Sequence, residues 1–290
     1  MFRKPILLAV AALVLASLAC GVNIETPVTE VKTGPTETEE ISVPLLESKE
    51  SVADLTLEFG AGNIKLASGA EDALVAGTAE YNVEDFKPDV SINGDNITIS
   101  QGDLNVRGIP QFQDDLINNW DLQLGSTPLF LRINAGAYTA DYELGGLSLT
   151  GIDITDGAAD VDLTFSEPNL SEMETLTYNT GASNISIEGL GNANLSELVF
   201  RSGAGSYTLD FSGEMQRDMT VSIESGISSI TIIVPEGVAA NLTFEGGMSN
   251  VTYDDGWEKD GSNYTLAGDG YTLTISVKMG AGNLELKTDK

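Results

Sequence analysis

Residues 198–209 read LVFRSGAGSYTL, and the pattern of this stretch decides the fold. Leu198 and Phe200 stand two apart, as do Tyr207 and Leu209, with Gly203 and small neighbours between the pairs. Apolar alternation of period two is strand chemistry, because residues two apart share one face of a pleated strand. Phe200 and Tyr207 are seven residues apart. An odd gap in one regular strand sends the second pair to the opposite face. Both pairs can face one core only if the chain bends or bulges between them, and glycine tolerates the backbone angles of a bend. The stretch predicts two short strands joined at a glycine corner.

The pattern recurs eight times, with corner glycines at Gly60, Gly136, Gly157, Gly181, Gly203, Gly226, Gly247 and Gly280. From Gly136 the steps between them are 21, 24, 22, 23, 21 and then 33 residues. A near-constant period in this range marks a repeat protein whose units bury their apolar faces against one another. Parallel neighbours need a crossover of about a dozen residues or more. One coil of about 22 residues supplies it, so the sequence predicts an all-β, single-stacked parallel β-solenoid. A β-sandwich also has short strands and frequent turns, but the constant period weighs against it.

Stacked coils place equivalent residues in columns. Three residues after each glycine stands a short polar side chain: Asn63, Thr139, Asp160, Asn184, Ser206, Ser229, Asn250 or Asn283. Such a column can bond neighbouring groups, as turn residues and asparagine ladders do. Two residues before the glycines, the predicted outward order is Asn134, Thr155, Asn179, Arg201, Glu224, Glu245 and Lys278. That order sets Arg201 beside Glu224 and puts Glu245 between Glu224 and Lys278. The segments Gln101 to Asn119 and Asp254 to Tyr271 depart from the repeat and are expected to cap the solenoid ends.

Residues 55–101 read LTLEFGAGNIKLASGAEDALVAGTAEYNVEDFKPDVSINGDNITISQ, and this stretch resembles the N-terminal module of bacterial toast-rack proteins. Its Gly-Ala-Gly-Asn corner and the Lys87-Pro88 pair carry the likeness. Trp120 to Thr252 is similar to the toast-rack repeat region, including Trp120-Asp121-Leu122 and the run from Gly189 to Asn194. The resemblance implies a non-enzymatic envelope module, related to adhesin-type solenoids and to modules of LiaF-like cell-wall stress proteins. It supplies no catalytic or ligand residues.

The N-terminus points to a location. Arg3 and Lys4 precede an apolar run, Ile6 to Leu18, that is too short to span a membrane, which takes about 20 residues. The run fits a secretory signal. Ala16-Ser17-Leu18-Ala19-Cys20 resembles a bacterial lipobox, and Cys20 is the only cysteine, so no disulfide explains it. The resemblance implies a diacylglyceryl group on Cys20. Two acyl chains anchor a protein stably where one does not. The expected organisation is a lipoprotein signal peptide over 1–19 and an acidic flexible tether over 20–42. An N-terminal toast-rack module over 43–118 and a solenoid repeat domain over 119–290 follow. The expected location is the cell membrane, lipid-anchored on its extracytoplasmic side.

Composition excludes more than it assigns. The chain has 44 acidic and 14 basic residues, no histidine and a net charge of −30. It should repel nucleic acid, which is bound largely by neutralising phosphates. Expected partners are instead the membrane, through the lipid anchor, and an envelope protein, a glycan or a cationic peptide. Without histidine there is no Ser-His-Asp triad and no histidine metal ligand. No cofactor or metal is expected. Calcium is the one ion the many carboxylates leave open, although neither Asp254-Asp255 nor the Asp156, Asp160, Asp162 group has a known calcium-loop spacing.

Two function classes remain. The first is a lipid-anchored, non-enzymatic interaction or sensing module. The alternative is a carbohydrate-active enzyme on a β-solenoid scaffold, a reading by fold analogy alone. Glycoside hydrolysis needs two carboxylates about 5–9.5 Å apart in a cleft. No acid cluster breaks the repeat to form one, so the first reading leads and no catalytic residue is expected.

Overall fold

The repeated unit is one long strand that bulges at its glycine. In the computed structural model, which describes residues 28–46, 48, 51–102, 104, 109–112 and 115–289, strand runs through all eight corners. The strands are β1 (Val28–Val31), β2 (Glu37–Pro44), β3 (Ala53–Ser68), β4 (Ala73–Tyr81), β5 (Pro88–Asn93), β6 (Asn96–Gln101), β7 (Ile109–Phe112), β8 (Asn118–Leu124) and β9 (Leu129–Glu143). They continue with β10 (Leu149–Thr164), β11 (Met173–Glu188), β12 (Leu195–Asp210), β13 (Met219–Pro235), β14 (Ala239–Tyr253), β15 (Trp257–Asp260), β16 (Asn263–Leu266) and β17 (Thr272–Asp289). The chain divides into two units. In the smaller, β1 and β7 pair in parallel, Val28 opposite Ile109. The larger holds one 15-stranded sheet. The expected signal peptide, 1–19, and Cys20 lie outside the described residues.

The corner works as the parity argument requires. Between β11 and β12 the register runs Thr180 opposite Ser202, then Ala182 opposite Ala204, and skips Gly181 and Gly203. The same skip occurs where β10 pairs with β9, and at β13, β17 and β14. The bulge restores the inward face. Leu198, Phe200, Tyr207 and Leu209 are all buried, as are Leu131, Ile133 and Tyr142 one end of the stack away. Each fully buried Leu or Ile side chain contributes about 1.5–3 kcal/mol. Return links close the core with Leu144, Leu147, Phe165, Leu190 and Phe211, all buried. Asparagines in the links clasp successive coils: Asn169 exchanges two 2.8 Å hydrogen bonds with the Leu149 backbone, and Asn192 Nδ2 donates to the Phe165 carbonyl at 2.9 Å.

The glycines are needed for a different reason from the one expected. None of the eight has the left-handed φ that favours glycine; that φ appears two residues on, at Gly62, Gly205 and Gly282. At every corner but Gly60, where the Gln101 side chain lies over the glycine, a Cβ would instead strike the carbonyl oxygen of the corner glycine in the adjacent coil. At Gly203 it would lie 2.5 Å from the Gly181 oxygen, and at Gly280 2.6 Å from that of Gly226. The corners stack backbone on backbone.

Three expectations change. First, β17 lies between β13 and β14, so the last strand of the chain is the penultimate coil of the stack. The outward order is therefore Arg201, Glu224, Lys278, Glu245, and Lys278 rather than Glu245 takes the middle place. This order alternates charge and separates two glutamates that would otherwise be neighbours. Second, the tether does not reach residue 42. Glu37–Pro44 is strand β2, antiparallel to β4, with Ile41 and Val43 buried. Third, no boundary at 118 separates a module from the solenoid. β3 is itself the first coil, with Leu55 opposite Leu131 and Leu66 opposite Tyr142 on β9. β6 covers the arm of β3 before the corner and β8 the arm after it. At the other end the β15–β16 hairpin pairs with β14, within the segment expected to cap.

The corner stacking predicts that Gly203→Ala lowers stability by about 1–3 kcal/mol, the scale of overpacking. Gly203→Val should lower it further. If the glycine served only backbone freedom, Ala would be tolerated here, since φ is ordinary. Chemical denaturation midpoints decide between the two.

Candidate functional site

The outward residues around the corners line an open groove of about 700 Å³. Its wall is the in-register row Thr155, Asn179, Arg201, Glu224, Lys278 and Glu245, and corner glycines Gly181 and Gly280 also line it. Adjacent strands lie about 4.8 Å apart, so six side chains in consecutive coils span about 24 Å. Hydroxyl and amide groups stand at one end and alternating charges at the other. Arg201 Nε lies 3.9 Å from Glu224 Oε2, and Arg201 Nη1 donates to Asn179 Oδ1 at 3.4 Å. Both ionic side chains are about half exposed, 54% and 53%. Exposed pairs of this kind stabilise little, because water and salt screen them. The four charged positions cancel to zero in a chain of net −30.

A row of small apolar residues runs just past the corners, with Ala204, Ile227, Ala281 and Met248 in register. Ile227 and Met248 are its large members, exposed at 69% and 84%. The short polar column is in register as expected, Asp160 through Asn184 and Ser206 to Ser229. Its members are exposed. The ladder bond at its start joins Asn63 Nδ2 to Asn119 Oδ1, 2.7 Å away.

Beneath the corners lies a polar interior that the sequence reading missed. Asp156 is buried and accepts from three hydroxyls: Tyr178 at 2.9 Å, Tyr138 at 3.3 Å and Thr180. Thr180 also meets Ser183 Oγ, which accepts from the Ala159 amide at 2.9 Å. Farther along, Ser202, Ser225 and Ser228 form a chain of 2.8 and 2.7 Å bonds. The signal was present in the sequence. The residue before each glycine and the second after it have inward parity, yet in the middle coils polar residues stand there: Asp156, Thr180, Ser202 and Ser225 before the glycine, Ser183 and Ser228 after it. Burial pushes the phenols of Tyr138, Tyr142 and Tyr178 well above their usual range, and the Asp156 charge reinforces this in each. Asp156, Asp160 and Asp162 do not converge on an ion site: among the described residues no group of three or more acidic or cysteine side chains could hold a metal.

A family model described as the N-terminal domain of toast-rack proteins, DUF2154, matches residues 32–188 and again 172–233. The chain belongs to the toast-rack family. The second match overlaps the first and takes in the corners of β11, β12 and β13, as a repeated unit allows. No curated protein matches this toast-rack protein in sequence. Among solved structures, a candidate cell adhesion protein from Clostridium sporogenes is 18% identical with a TM-score of 0.47, over 87% of this chain and 100% of that one. A candidate adhesin from Parabacteroides merdae is 10% identical with a TM-score of 0.41, over 89% and 98%. A candidate lipid-binding protein from Parabacteroides distasonis is 9% identical, also at 0.41, over 88% and 99%.

Two outcomes follow for the toast-rack stack. Lys278→Glu should destabilise it more than Arg201→Glu, because it lines up three carboxylates where the other lines up two. The gap between the variants should narrow as salt is raised, which thermal melts at two ionic strengths will show. The buried phenols set an alkaline limit. Their folded pKa values lie above the ordinary 10.0, so their contribution is intact below about pH 10 and is lost progressively above it. Tyrosinate absorbance should show these three phenols ionising only as the protein unfolds.

Proposed function

We propose that this protein is a lipid-anchored, extracytoplasmic, non-enzymatic interaction module, and that the corner groove is its recognition face. The supporting observation is the in-register row of Asn179, Arg201, Glu224, Lys278 and Glu245 along the groove. A rigid sheet holds these side chains at a fixed repeat, so donors and acceptors are presented without ordering a loop on binding. The alternating charges suit a polar polypeptide segment of an envelope protein. The groove is lined by no aromatic ring for a sugar to stack on. Nor does its balanced charge single out a cationic ligand. Glu224 and Glu245 flank Lys278, and Glu224 is half exposed, whereas a general acid needs a pocket that keeps it protonated. The anchor reading rests on Arg3, Lys4, the Ile6 to Leu18 run and the lone Cys20.

Cys20→Ala should move the protein from the membrane fraction to the soluble one and abolish labelling by a palmitate analogue. Unlabelled wild-type protein would overturn the anchor. The full chain used as bait in envelope extract should retain a protein that the Arg201→Ala, Lys278→Ala double variant loses at least tenfold. Equal retention by both would remove the groove from the recognition face.

A further inference from the structure

The two ends of the stack are closed unequally. At the first coil, β6 pairs with one arm of β3 and β8 with the other. The Gly60 corner is also covered there, by Gln101 Oε1 accepting from its amide at 2.9 Å and by Asn118 Nδ2 donating to the Ala61 carbonyl at 2.6 Å. At the last coil, β16 pairs with β14 only over Ala240–Thr243. The arm of β14 beyond its corner is paired with β17 on one side, Met248 to Tyr253 against Ala281 to Leu286. Among the described residues no strand pairs with its other side. Apolar surface is open at the same place. Val251 is only half-buried and Tyr253 is 44% exposed, while Leu284 and Leu286 beside them are fully buried.

An open edge is a template for another strand, and proteins usually guard such edges with lysine, proline or a charge. The other terminal strand, β2, follows this rule with Glu37, Glu39, Glu40 and Pro44. The β14 edge does not. Gly246 to Tyr253 reads GGMSNVTY, eight residues without a charge in a chain with 58 charged side chains.

We propose that this edge pairs with the same edge of a second copy, antiparallel and two-fold symmetric, so that the sheet continues across a homodimer. A two-fold axis normal to the sheet requires opposed residues to share parity, since opposed side chains lie on one face. The register that centres on Val251 meets this rule. It sets Val251 against Val251 of the second copy, Ser249 against Tyr253, and Asn250 against Thr252. Val251, Ser249 and Tyr253 carry the inward parity of the stack, so the apolar residues now open cover one another. Past the edge, Asp254 falls opposite Met248 and no like charges are opposed. A basic strand from another protein would find carboxylates only beyond the two ends of the edge, at Glu245 and at Asp254 and Asp255. The two bodies repel through their net charge, and salt screens this beyond about 8 Å at physiological strength. Added salt therefore strengthens the dimer.

The test uses the full chain with Cys20→Ser, in analytical ultracentrifugation. The expected result is a concentration-dependent dimer whose dissociation constant falls as salt rises from about 0.05 to 0.5 M, a range over which the screening length shortens. Asn250→Lys with Thr252→Lys sets lysines against each other twice and should raise the dissociation constant at least tenfold. Asn250→Glu with Thr252→Glu should do the same. Mixing the two variants should restore dimers, which a general loss of folding would not allow. Val251→Cys should form a disulfide with its copy, the chain then having no other cysteine. A monomer at every concentration, a dimer indifferent to the edge variants, or no recovery on mixing would each overturn the proposal.

Discussion

Everything in the stack depends on how close one glycine Cα comes to the carbonyl of the next. The corner leaves no room for a Cβ, so the coils touch there through backbone alone. That contact fixes the register on both arms at once. It also explains the chemistry on either side of it. Outside, the backbone draws in and leaves a groove walled by the residues two before the glycine. Inside, small hydroxyl residues such as Ser183, Ser202, Ser225 and Ser228 bond across and along the coils.

Much of the fold was legible because two signals agree. Alternation names the strands, and a period near 22 residues names the stack. The seven-residue gap from Phe200 to Tyr207 forced a bulge before any coordinate was known, and the register skips the glycine there. The reason for glycine was not legible. A permissive φ and an absent Cβ leave the same letter in a sequence, and only the neighbouring coil distinguishes them. The order of the last coils was also hidden. Period predicts which residues are equivalent, not which strand lies beside which, so Lys278 was set at the end of a row whose interior it occupies. Charge alternation could have corrected that, since Glu224 next to Glu245 was the unfavourable arrangement.

The start of the folded chain was misjudged for a related reason. Glu37 to Glu40 looks like tether when read for composition, yet strand β2 includes these residues. An edge strand needs apolar side chains on one face only, and Ile41 and Val43 supply that at the very end of the acidic run. The candidate groove was half visible. Its row could be written down from the period, whereas its concavity comes from the bulge geometry. Asp156 and its three hydroxyl donors were visible only as letters of the wrong polarity at inward positions.

The place of β17 has a consequence for how the chain acquires its structure. From β9 to β13 the coils join partners about 22 residues away, as Arg201 and Asn179 do, but Thr231 reaches Glu285 across 54 residues. Closing the longer loop costs about 0.8 kcal/mol more by chain statistics, a small thermodynamic burden. The kinetic one is larger. A chain made or exported from its N-terminus can zip coil by coil through β13 and must then wait, because the strand that belongs next, β17, emerges only after β14, β15 and β16. Until it arrives, β13 offers a long apolar edge to the solvent, and β14 has no seat. Loss of β17 would therefore strand β14 as well, two coils rather than one. Strand β17 works as the keystone of the stack, set after the stones on both sides of it.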